Sequence, residues 1–63
     1  MDPDKCLDNC RAIVEEITRY TEAPDINTTT VVEELAGELA ENFRSLDDWV
    51  AKGGFLPRVW RSR

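Results

Sequence analysis

The chain has 63 residues, a formal net charge of -5, two cysteines and no histidine, which limits it to one small domain without the disulfide framework that often stabilises so short a chain. Up to Ala51, 13 acidic residues stand against 4 basic ones, a balance of -9, so that stretch has no extended positive surface for general nucleic-acid binding. No apolar run nears the ~20 residues that cross a bilayer, and Met1-Asp2-Pro3-Asp4 lacks the regions of a secretory signal, so a cytoplasmic protein without a membrane partner is expected.

In chain order, Asp2-Pro3 or Asp4 can open a helix, because aspartate satisfies orphan amides and proline is tolerated in the first turn. Cys6, Cys10, Ile13, Ile17 and Tyr20 then recur at spacings of 4, 3, 4 and 3, with Leu7, Val14 and Thr21 widening the stripe. This is one face of a helix over about 3–22. Asp8, Arg11, Glu15, Arg19 and Glu22 fall on the other side, which the spacing assigns to solvent. Pro24 ends the helix.

Residues 23–29 read as a loop. Asn27-Thr28-Thr29 matches a glycosylation sequon, but turn and cap chemistry is the simpler reading without an export signal. Thr30-Val31-Val32-Glu33 reads as a capping box opening a second helix over about 30–52. Val32, Leu35, Leu39, Phe43, Leu46 and Trp49 or Val50 form its apolar stripe. Ala36 and Ala40 lie beside the stripe and Gly37 close by, a pattern that lets a neighbouring helix approach. Lys52-Gly53 supplies a C-terminal cation and a left-handed cap. Phe55-Leu56-Pro57 cannot continue as regular helix, so 53–63 is expected to be a packed, non-helical segment with Phe55 or Leu56 against Leu46 and Trp49.

The expected fold is therefore all-α: a two-helix antiparallel hairpin with arms of about 30 Å, forming a single domain over 1–63. One hairpin leaves a flank exposed. Pairing two covers it, which predicts a homodimeric four-helix bundle with Ile13, Ile17, Leu35, Leu39, Phe43, Leu46 and Trp49 in the oligomer core.

Chemistry-bearing motifs are sparse. Cys6 and Cys10 at i and i+4 have three readings: small apolar residues continuing the stripe, interchain disulfides near a two-fold axis, or half of a zinc site completed by a second chain. Packing is the simplest. With no histidine, no serine nucleophile motif and no glycine-rich phosphate loop, neither catalytic nor cofactor-binding residues are assigned, and a non-enzymatic protein is expected. The acids, among them Glu33, Glu34, Glu38 and Glu41, are a solvated face or, alternatively, a mimic of a line of phosphates.

The last stretch differs from the body. Lys52, Arg58, Arg61 and Arg63 give it +4 with no acid, and Trp60 lies between Arg58 and Arg61. Tryptophan and arginine dominate the energetics of many interfaces. Phe55, Leu56, Arg58, Trp60 and Arg61 are thus partner-binding candidates, while the competing role for Phe55, Leu56 and Trp60 is to close the core of the chain's own dimer.

Leu46-Asp47-Asp48-Trp49 followed by Gly53-Gly54-Phe55-Leu56-Pro57-Arg58-Val59-Trp60 resembles the ending of small acidic proteins of actinobacterial phages and their hosts. The likeness covers the last quarter of the chain and implies a setting, without an activity or a functional residue. The expected function is a small interaction module, phage-encoded, that modulates a host or viral protein. Self-association as the whole task is the alternative.

Overall fold

The computed structural model describes residues 2–61; Met1, Ser62 and Arg63, the last being one of the cations of the basic ending, lie outside the described residues. Asp2 caps the first helix, α1 (Pro3–Glu22), by accepting from the amides of Asp4 and Lys5 at 3.1 and 3.2 Å. Pro3 occupies the first turn, where its missing N–H costs nothing. Ala23, whose N–H still reaches Arg19 O, terminates α1 one residue before Pro24.

The second helix, α2 (Thr28–Ala51), starts two residues before Thr30, and the expected capping box does not form. Asp25 sets the start instead. Its carboxylate accepts from the Asn27 amide at 2.8 Å, and the Thr28 hydroxyl accepts from the Asp25 amide at 2.6 Å. This aspartate turn puts the chain on a helical course by Thr28, so Thr30 is already inside the first turn and cannot serve as the cap.

At the other end of α2, Gly53 N–H bonds to Val50 O and Gly54 N–H to Trp49 O. This is the double bond pattern of a Schellman cap, with Gly53 in the left-handed region at φ +91°. The chain then reverses over α2. Trp49 Nε1 donates to Phe55 O at 2.9 Å, and the two rings meet edge to face with centroids 5.5 Å apart.

The segment that follows was expected to be non-helical, and here the structure corrects the expectation. Arg58–Arg61 forms a short helix, α3. Pro57 stands just ahead of it with its carbonyl accepting from Trp60 N–H, and the Asp4 carboxylate accepts from the Arg58 amide. A side chain 54 positions away thus caps this turn.

The two long helices pack against each other as a helical hairpin. Its core is small: Cys6, Leu7 and Leu46 form a buried cluster with Val50 against it, while Cys10 and Leu35 are buried along the seam. Pro3 and Pro57 are fully buried at the end where α3 returns to α1. Ile13, Ile17, Leu39 and Trp49 are half-buried, and Phe43 is 59% exposed.

The molecule is one helix layer thick. Its Cα extents are 43 × 22 × 13 Å, and its radius of gyration is 13.7 Å, against about 10.6 Å for a compact domain of this length. It exposes 4907 Å², against roughly 4,100 Å² for a compact protein of 7.2 kDa. No helix among the described residues is long and apolar enough to cross a membrane.

Gly37 was a candidate for close helix contact, yet a Cβ built there meets nothing within 4 Å. Gly37→Ala is accordingly expected to stabilise the fold by up to about 1 kcal/mol through helix propensity. A lower melting temperature in a thermal scan monitored by circular dichroism would show instead that the position is occupied by a neighbour.

Candidate protein-interaction site

The face left open by the hairpin is a groove of about 900 Å³ between α1 and α2. From α1 it takes Leu7, Cys10 and Val14; from α2 it takes Ala36, Leu39, Ala40 and Phe43. These positions follow from helical spacing: once Cys6, Ile13 and Ile17 point across to α2, residues 7 and 14 must face a quarter-turn away. Arg11 and Glu15 form the α1 rim. Both are exposed, as the spacing predicts, and they stand beside the apolar floor.

Val14 is 48% exposed and Phe43 59% exposed within this groove. A single exposed apolar side chain is ordinary, but a contiguous apolar strip rimmed by charge marks a place where another surface binds. Among the residues expected in an oligomer core, Leu39 and Phe43 line this strip, whereas Leu35 and Leu46 are buried within the hairpin.

The second apolar surface is the C-terminal end. Phe55, Leu56 and Trp60 are 55%, 38% and 44% exposed, and Arg58 and Arg61 are exposed beside them. The Arg61 guanidinium lies over the Phe55 ring, 5.7 Å from its centroid, an arrangement in which the cation is attracted by the ring face. Phe55 reaches Trp49, as expected, through its ring and its carbonyl. What the sequence did not signal is the tie between this end and α1 through Asp4, which leaves Arg58 and Val59 against Asp4, Leu7 and Asp8.

Both cysteines are free thiols. Cys6 Sγ donates to Asn42 O at 3.1 Å and so links α1 to α2, while Cys10 lines the groove. Among the described residues, no group of three or more histidine, cysteine, aspartate or glutamate side chains is placed to hold a metal ion. Burial pushes the Cys10 thiol above its ordinary value, and the neighbouring Cys6 adds to the effect by charge and hydrogen bonding.

The sign follows from proton linkage. A thiol whose native pKa is raised holds its proton more tightly in the folded state, so its contribution is complete below the unfolded value of about 8.5 and is lost as pH rises through the native one. Stability is therefore expected to be flat with respect to Cys10 up to about pH 8.5 and to fall above it. Denaturant titrations at several pH values on wild type and Cys10→Ala check this: the alkaline loss should be smaller in the variant.

Comparison of the chain with models of known protein families, with characterised proteins and with solved structures finds no match.

Proposed function

We propose that the chain is a small non-enzymatic protein–protein interaction module, acting in the cytoplasm as a homodimer in which two hairpins close their grooves into a four-helix bundle. The observation that carries this reading is the groove: an apolar strip containing Leu39 and a largely exposed Phe43, on a molecule only one helix layer thick. Helical domains bury such a strip against a second layer.

The Arg58–Arg61 end supplies a separate surface for another protein, with Phe55, Leu56 and Trp60 as apolar anchors and Arg58 and Arg61 as the charged partners around them. In this reading the partner of that surface is a host or viral protein whose activity the module modulates.

The two surfaces separate experimentally. Trp60→Ala is expected to leave the oligomeric state and melting temperature unchanged while abolishing capture of a partner from the cells that carry the gene. A large drop in melting temperature, with capture intact, would assign Trp60 to the protein's own core. If wild type captures nothing, the reading of this end as a surface for another protein fails.

A further inference from the structure

We infer that the groove is covered by the groove of a second copy through a two-fold axis running across the hairpin, so that α1 lies antiparallel on the partner's α1 and α2 on the partner's α2. This inference rests on the dimer proposed above and specifies how the two copies meet. The groove has two charged lining residues, Arg11 and Glu15, of opposite sign and one turn apart on α1. Its α2 side is apolar, with Ala36 and Ala40 flanking Leu39 and Phe43.

An antiparallel pairing of α1 with itself, centred near Ile13, brings Arg11 against the partner's Glu15 and Glu15 against the partner's Arg11. The patch is self-complementary, as an interface between identical copies requires. Face-to-face stacking has one principal alternative, a two-fold axis running along the helices, which lays α1 over the partner's α2. There Arg11 and Glu15 would lie over the flank of the partner's Ala36–Phe43 strip instead of over each other, and the match that makes the patch self-complementary would be lost.

The α2 side fits the same axis independently. Antiparallel pairing of α2 with its copy, centred near Leu39, seats the exposed Phe43 ring over the partner's Ala36, where the small side chain leaves room for it. The two centres must then sit at one level of the hairpin. They do, to within about half a turn: Asn9, Ala12 and Ile13 share a surface cleft with Glu38 and Asn42. One axis therefore satisfies the charge pairing on α1 and the ring packing on α2 together.

Two measurements on the full chain test the arrangement. In sedimentation equilibrium, Arg11→Glu and Glu15→Arg are each expected to raise the dimer dissociation constant at least tenfold, and the double variant to return it to within about threefold of wild type. Far-UV circular dichroism on the same samples accounts for the change in pairing within each helix. Ala40→Cys places a thiol near the axis, and mild oxidation is expected to give a covalent dimer linked between the two introduced thiols, as read by peptide mapping. A covalent dimer linked from the introduced thiol to the partner's Cys10, or none from a sample that sediments as a dimer, overturns the crosswise axis and leaves the dimer standing. A wild-type chain that sediments only as a monomer overturns both.

Discussion

Leu46→Ala is expected to unfold a large fraction of the protein. Leu46 is 2% exposed and sits at the centre of the only buried cluster among the described residues, against Cys6 and Leu7. Removing a buried leucine side chain costs about 2–5 kcal/mol because the apolar transfer is lost and the cavity does not fully close. A domain of this length holds roughly 3–9 kcal/mol in all, so the loss is a large share of the total. At about 4–8 °C per kcal/mol for so short a chain, the melting temperature should fall by at least about 8 °C. A thermal scan showing a fall below about 3 °C would mean that the hairpin does not depend on this cluster.

The second large effect is expected at Gly54, and its neighbour provides the control. A Cβ built on Gly54 overlaps the Trp49 indole, and that ring is held by its bond to Phe55 O and its edge contact with the Phe55 ring. Gly54→Ala must therefore displace the indole, with a cost of about 1–3 kcal/mol. The near-ultraviolet dichroism of Trp49 should change with it, because the ring loses its fixed surroundings. Gly53 is constrained by backbone alone: its φ is +91°, and a Cβ there meets nothing within 4 Å. Gly53→Ala is expected to cost about 1–2 kcal/mol while leaving the tryptophan signal as in wild type. Equal spectral changes in both variants would contradict this division of roles.

How much was legible in the sequence depended on the range of the interactions involved. The stripe Cys6-Cys10-Ile13-Ile17-Tyr20 and the Gly53 cap are local patterns, and helical geometry converts them directly into a buried face and a chain reversal. The start of α2 lies two residues ahead of the Thr30 cap because a turn built by Asp25 and the first of the three threonines, Thr28, sets the helical course before Thr30 is reached. The short helix at Arg58–Arg61 was missed because its cap comes from Asp4, a pairing that no local pattern encodes.

The groove was only half legible. Its floor lies within the widened stripes, and Arg11 and Glu15 are exposed as spacing predicts, but spacing does not show that they border the floor. Their place in the groove lining emerges only once α1 and α2 are packed together. Phe43 illustrates the same limit from the other side: it belongs to the α2 stripe by spacing, yet Leu46 and Leu35 take the contact with α1 and leave Phe43 facing outward. Periodicity identifies an apolar face, while the packing of the hairpin decides which part of it stays available to another surface.

The most direct test of the account is the mass of the unmodified chain by sedimentation equilibrium from low to high micromolar concentration. A homodimer closing over the groove gives twice the 7.2 kDa of the single chain, and Phe43→Asp should shift it toward the monomer with its helix content retained. A fully helical species of 7.2 kDa at every concentration would contradict the account, since the groove would then be open in the free protein.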